Sequence, residues 1–355
     1  MPGRDIIVIG ASAGGIEALT GLIAALPVDL PAAVFDVLHV SSHGRSVLPE
    51  ILNRRGALPA VHPADGEEIL PGRIYVAPSD RHLLVKPRKV RIARGPRENG
   101  HRPAVDPLFR TAARAYGPRV VGVVLSGSLD DGTGGLLSIV QQGGLALVQN
   151  PNEALYPSMP RSALENVPGA EARPVVEIAE ILDRLAREPR NDRQADEVTM
   201  AKEEEIEADM AELEPHAMHH HNRPGTPSGF GCPDCGGVLW EIEQEGHVRF
   251  RCRVGHSWTA NSLLAQQSDE LEEALWVALR ALEERATLAD RVAEWMRTRG
   301  NDRSAERFQE QAADATRRAG LIRQFLCNEP QINDEPIPSL GPPIGSDGGK
   351  AAEAP

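Results

Sequence analysis

The sequence predicts an α/β protein: a doubly wound, mostly parallel sheet, then a small cysteine-bearing ribbon, then an α-helical hairpin. Three observations predict it. Residues 1–190 alternate short aliphatic runs with helical patterns, the order that builds a parallel sheet covered on both faces. Three of the four cysteines fall within residues 232–252. Two long stretches with apolar residues spaced by three and four flank Arg299-Gly300-Asn301-Asp302.

The first run, Ile6-Ile7-Val8-Ile9, reads as a strand buried on both faces. It enters the small-residue turn Gly10-Ala11-Ser12-Ala13-Gly14-Gly15, and a helical pattern follows at Ile16, Leu19, Leu22 and Ile23. Phe35 to Val40 is the second strand, ending in Ser41-Ser42-His43-Gly44, with a helix through Val47, Leu48 and Ile51. Arg73–Ala77, His82–Val85 and Lys89–Ile92 are short runs separated by turn residues, which suggests a small antiparallel excursion. Val120–Leu125 is again a buried parallel strand. It runs into Ser126-Gly127-Ser128-Leu129-Asp130-Asp131-Gly132, then a helix through Leu136 and Val140, then the strand Leu145–Val148. A last helix spans roughly Val176 to Arg187.

From residue 190 the composition changes. Residues 191–228 are acidic, then carry His216, His219, His220 and His221, and read as a solvated linker. Residues 229–258 form a compact cysteine module and residues 259–328 a helical hairpin or coiled coil. The first helix carries Leu271, Leu275, Ala278, Leu282, Ala289, Val292 and Met296, with the seam broken by Arg285; the second carries Ala305, Phe308, Ala312, Ala315, Ala319, Ile322 and Leu326. A hairpin burying its own seam is the simpler reading, and self-association through these helices is the alternative. The Pro/Gly-rich stretch 329–355 reads as a disordered tail.

A net charge of −13 on 355 residues, with no dense basic block, argues against nucleic acid as a partner. No basic-then-apolar leader or bilayer-length apolar run is present, so no membrane insertion is expected and a cytoplasmic location is the default.

In an open parallel sheet, ligands collect at the carboxyl ends of the strands. Three strands end here in or near Ser12, His39 and Asp131. A serine hydroxyl needs an imidazole to take its proton, and a carboxylate to hold that imidazole in the right tautomer. Each residue also has a plainer role: Ser12 as a small turn residue, His39 as a satisfied strand-end histidine, Asp131 as a helix cap. Gly10 to Gly15 could equally cradle a phosphate, but the acidic ribose partner usual after the second strand is absent, with His39 and Val40 in its place. An α/β-hydrolase fits poorly, because its triad runs Ser, acid, His.

These residues occur in a longer series of blocks. They include Ile9-Gly10-Ala11-Ser12-Ala13-Gly14-Gly15, His39, Asp65-Gly66-Glu67, Leu70-Pro71-Gly72-Arg73-Ile74-Tyr75-Val76-Ala77-Pro78 and Arg102-Pro103-Ala104-Val105-Asp106-Pro107-Leu108-Phe109. Gly122-Val123-Val124-Leu125-Ser126-Gly127, Asp131-Gly132 and Met159-Pro160 complete the series. Over about residues 5 to 185 the chain resembles the catalytic domain of the CheB family, the chemotaxis receptor protein-glutamate methylesterases. The resemblance implies a Rossmann-like methylesterase domain at 1–190, with Ser12 as nucleophile, His39 as general base then acid, and Asp131 as the orienting carboxylate. It further implies oxyanion donors at the N–H groups near Ala13 and Ser128, a methylated chemoreceptor-like partner and no catalytic cofactor. Glutamine deamidation by the same triad is a related activity of some members. A non-catalytic signalling protein keeping the fold is the competing expectation.

The chain departs from the family pattern in several places. The usual receiver domain is missing ahead of the first strand, so control by phosphorylation in cis is not expected. Ala13 stands where many relatives have Thr, Ser128 where Met is common, and Ser41-Ser42-His43 where prolines are frequent. His43 matches no catalytic position and reads as surface.

Cys232-x-x-Cys235 and Cys252-x-x-x-His256, sixteen residues apart, have zinc-ribbon spacing. Four protein ligands close a tetrahedron, so a structural zinc held by Cys232, Cys235, Cys252 and His256 is expected. Cys327 is left as a free thiol. A docking or oligomerising role is the cautious expectation for the module.

Overall fold

The structure is a computed structural model. It describes residues 3–40, 44, 46–189, 202–213, 225–244 and 247–328. Ser41-Ser42-His43, the histidines at 216 and 219–221, and the tail 329–355 lie outside the described residues.

The chain divides into two compact units, with the boundary after Ser262. In the first, β1 (Ile6–Ala11), α1 (Gly15–Ala25), β2 (Ala33–Leu38), α2 (Leu48–Arg55), β3 (Ala60–Val61) and β4 (Arg73–Val76) come in that order. The hairpin β5 (His82–Lys86) and β6 (Lys89–Ala93) follows, then α3 (Val105–Tyr116), β7 (Val120–Val124), α4 (Thr133–Gln141) and β8 (Leu145–Gln149). α5 (Ser158–Asn166), β9 (Glu171–Arg173) and α6 (Val175–Arg187) complete the sheet layer.

The seven strands lie in the order β3-β4-β2-β1-β7-β8-β9, every pair parallel. β1 is central because all six of its residues are buried, which suits a strand with neighbours on both edges and helices on both faces. Its alternation divides the core. Ile7, Ile9 and Ala11 face the side closed by Leu19 and Leu22 of α1, Leu52 of α2 and Leu182 of α6. Ile6 and Val8 face the side closed by Phe109 of α3, Leu136 of α4 and Met159 of α5.

The stretch Arg73–Ala77 differs from its expected antiparallel pairing. β4 joins the parallel sheet beside β2, because Ile74 fills one core face and Tyr75 the other. Only β5 and β6 form the hairpin. α3 was not evident as a helix; Pro107 sits in its first turn, where the missing N–H costs nothing, and Val105, Leu108, Phe109, Ala112 and Ala113 are all buried.

The expected linker contains a helix, α7 (Lys202–Ala211), whose Glu207 is buried. The ribbon is a four-stranded antiparallel sheet, β10 (Thr226–Gly231), β11 (Val238–Gln244), β12 (His247–Cys252) and β13 (Ser257–Thr259). It belongs to the same unit as the parallel sheet. Arg110 of α3, fully buried, pairs with both oxygens of Glu98 at 2.7 Å and with Glu207 at 3.6 Å. Arg249 of β12 reaches Glu207 at 2.5 Å, and Arg251 approaches Glu98 and Glu207. Burial opposes ionising Glu207, but Arg249, Arg251 and Arg110 bring its carboxyl down to about 2.

The second unit is the hairpin of α8 (Ala260–Thr298, whose first turn through Ser262 belongs to the first unit) and α9 (Asp302–Asn328). Ala305, Ala312, Ala315 and Ala319 of α9 are buried as the spacing predicts. On α8 the seam passes through Ala286 rather than Arg285 and continues at Ala289 and Ala293, while Leu271 is exposed. Among the described residues, no helix is long and apolar enough to cross a membrane.

Candidate active site and metal centre

The order in which strands are added reverses about β1: β2 lies on one side of it and β7 on the other. Such a switch point leaves a crevice at the carboxyl ends of the strands. Ser12 follows β1 directly, His39 follows β2, and Asp131 lies in the loop between β7 and α4. The turn after β1 is tight because Gly14 adopts φ 67°, and a Cβ there would meet Leu155 Cβ and Ser126 Oγ at 2.8 Å. Ser126 ties the two loops together: its carbonyl accepts the Ser12 N–H at 2.9 Å and its hydroxyl donates to the Ala13 carbonyl at 2.8 Å.

Ser12, His39 and Asp131 meet. Ser12 Oγ lies 3.1 Å from His39 Nδ1, and His39 Nε2 lies 2.7 Å from Asp131 Oδ2. An ionised Asp131 only accepts, so the bond fixes the proton of a neutral His39 on Nε2 and leaves the Nδ1 lone pair facing the Ser12 hydroxyl. The side chains of His39 and Asp131 are only 5% and 3% exposed.

Asp131 is the anchor of this row. Its Oδ1 accepts from Asn99 Nδ2 at 3.0 Å, Gly132 N–H at 3.0 Å and Asp106 N–H at 3.3 Å. Its Oδ2 also accepts the Val105 N–H at 2.7 Å. Burial works against its charge, but the hydrogen bond and charge of His39, then the Val105 N–H, hold the carboxyl well below the usual range. Asp106 goes the opposite way, raised by burial and by the neighbouring Asp131 charge. Asp130 is raised by burial to about 6.

Asp106, from the Arg102–Phe109 block, and Asn99 and His101, which no sequence pattern singles out, all lie beside the triad. His101 stacks on His39 with ring centroids 3.7 Å apart. Burial, and then proximity to His39, bring His101 down to about 3, so it stays uncharged at neutral pH. A histidine immediately before Arg102-Pro103 was the available signal.

The family model for CheB methylesterase matches residues 7–184, half of the chain. The chain belongs to the CheB methylesterase family. A Leptospira interrogans protein, named provisionally as a protein-glutamate methylesterase/protein-glutamine glutaminase, is 37% identical over 182 residues, 51% of this chain and 94% of its own length. Protein-glutamate methylesterase/protein-glutamine glutaminase 1 of Xanthomonas campestris pv. campestris is 39% identical over 189 residues, 52% of each chain. The chain thus spans about half the length of that curated relative. The crystal structure of the Thermotoga maritima CheB methylesterase catalytic domain aligns at TM-score 0.48 and 32% identity, over 51% of this chain and 98% of its own.

The ribbon lies outside the stretch matched to the CheB family. Its two turns bring Cys232, Cys235, Cys252 and His256 together, with all four ligand atoms within 4.8 Å of one another. Cys235 Sγ and Cys252 Sγ are 3.7 Å apart, and His256 Nδ1 is 3.6 Å from both Cys232 Sγ and Cys252 Sγ. Ligands about 2.3 Å from a tetrahedral centre lie roughly 3.7 Å from each other, so the cluster can hold a metal ion of that geometry. Cys327 is exposed, away from this cluster in sequence.

Proposed function

We propose that this protein hydrolyses glutamate methyl esters on a methylated chemoreceptor-type protein, with Ser12, His39 and Asp131 as its catalytic triad. The observation that carries the reading is the continuous row from Ser12 Oγ through His39 to Asp131, at the carboxyl edge of a sheet within the family stretch. His39 Nδ1 takes the Ser12 proton as Oγ attacks the ester carbonyl, and Asp131 holds the imidazolium that forms. The same proton then goes to the departing methoxide, releasing methanol and leaving an acyl-enzyme. Water, deprotonated by His39, frees the glutamate carboxylate. Among the described residues no hydrogen bond engages the N–H of Ala13 or Ser128, which leaves both available to a developing oxyanion. The two relatives' names pair this activity with a glutaminase, and the same attack on a glutamine side chain would expel ammonia instead.

The experiment is methanol release from methylated receptor by the full chain and by Ser12→Ala. A loss of at least about 10^4-fold in the variant is expected. Equal rates, or no release by either, would remove the assignment for that substrate. The ribbon cluster is read as a structural zinc site, because its four ligands close the coordination sphere. Metal analysis should find zinc in the full chain and little in Cys232→Ser.

A further inference from the structure

β13, the last strand of the ribbon, starts one residue after His256 of the metal cluster. It pairs with the segment at 97–99 of the parallel-sheet layer. Ser257 N–H donates to the Arg97 carbonyl at 3.2 Å, and Asn99 N–H donates to the Ser257 carbonyl at 2.7 Å. From this side the Asn99 side chain is held by its oxygen. Thr259 N–H donates to Asn99 Oδ1 at 2.9 Å, and Ser262 Oγ–H donates to it at 3.0 Å. An amide held by two donors on Oδ1 has one orientation, and its Nδ2 points at Asp131 Oδ1, 3.0 Å away, and Asp106 Oδ2, 3.2 Å away.

A second arm reaches the same loop. Thr259 Oγ1 donates to Asp130 Oδ1 at 2.7 Å, and Asn261 Nδ2 donates to Asp130 Oδ2 at 3.2 Å. Asp130 adjoins Asp131, and Leu129 before it sits at φ 60°, a conformation that a non-glycine residue holds only when its surroundings impose it. Asn99, Asp130, Asp131, Thr259 and Ser262 are all buried, so water offers no substitute donors.

We propose that the metal ribbon is a positioning element for the triad. Through Thr259 and Asn99 it fixes the Asp131 carboxylate against His39, and turnover at Ser12 depends on the ribbon being metal-loaded. The inference rests on the esterase reading for its kinetic consequence but not for its structural one. Asn99 and Thr259 act through Asp131 and Asp130 and are positioning residues.

The test uses the full chain, zinc-loaded, chelator-stripped and zinc-restored, beside Asn99→Ala, Thr259→Val and Thr259→Ser. Two readouts are followed: the downfield proton resonance of the His39–Asp131 hydrogen bond, and kcat and KM for methyl-ester hydrolysis. Stripping, Asn99→Ala and Thr259→Val should each shift or broaden the resonance and lower kcat by about 10- to 100-fold with little change in KM, the pattern of a misplaced reacting group. Zinc restoration and Thr259→Ser should recover both. Thr259→Val leaves every metal ligand in place, so it serves even if stripping unfolds the ribbon. An unchanged resonance and kcat in Thr259→Val and Asn99→Ala would overturn the proposal. A resonance that responds to stripping in a protein that cleaves no ester would uphold the positioning and sink the esterase reading alone.

Discussion

Two aspartates of the same sheet, one at its carboxyl edge and one in the middle of β2, are equally withdrawn from water and titrate in opposite directions. Asp131 accepts hydrogen bonds from His39, Asn99 and the N–H groups of Val105, Asp106 and Gly132, and ionises readily. Neither oxygen of Asp36 has a partner among the described residues, and burial pushes its carboxyl up to about 8. Depth alone therefore neutralises a carboxyl; converging donors are what keep one charged. Glu207 sharpens the contrast, since it is as buried as either and is kept ionised by three arginines rather than by backbone donors and a histidine.

The contrast can be broken most severely at Asp131. Asp131→Asn offers His39 an amide in place of a carboxylate, and kcat for ester hydrolysis should fall about 10^4-fold with the fold intact by circular dichroism. At Glu207 the damage should appear in stability. Glu207→Gln takes away the carboxylate that Arg249 pairs with and leaves Arg110 and Arg251 to Glu98, and urea denaturation should show a loss of about 3–5 kcal/mol.

Asp36 should respond in the other direction. Asp36→Val, in register with Ile9 and Val76, removes two unsatisfied oxygens and should stabilise the protein by about 1–3 kcal/mol. The sign of its pH dependence follows from a folded pKa of about 8 against the ordinary aspartate value of 3.8. Between these values the unfolded chain has released a proton that the folded chain still holds, so wild-type stability falls as pH rises. The advantage of Asp36→Val should therefore be smaller at pH 4 than at pH 8. An advantage independent of pH would show that Asp36 is not a buried neutral acid.

The sequence made some of this legible and hid the rest for physical reasons. β1, β2, β7 and β8 were readable because strands buried on both faces are continuous aliphatic runs. The edge strands β3 and β9 were not, since two or three residues carry no pattern. Strand ends made Ser12 and His39 candidates, each with a plainer role beside it; it was the resemblance to the CheB blocks that joined them with Asp131 as a triad, while the cysteine spacing nominated its own cluster. Asn99 could not be found that way, because its partners are Thr259 and Ser262, far along the chain, and no local spacing reports such a contact. Glu207 hid within an acidic run, where composition predicts solvated charge and only the three arginines around it explain its burial.

The depth of Arg110 also sets where the molecule may be shortened. A piece ending after Arg187 would retain Ser12, His39 and Asp131, yet lose Glu207, Arg249 and Arg251 from around a guanidinium that is 0% exposed. The same cut would take away Thr259 and Ser262, the two donors that orient the Asn99 amide. The first compact unit runs on to Ser262, so a boundary drawn at the edge of the family stretch would pass through its interior.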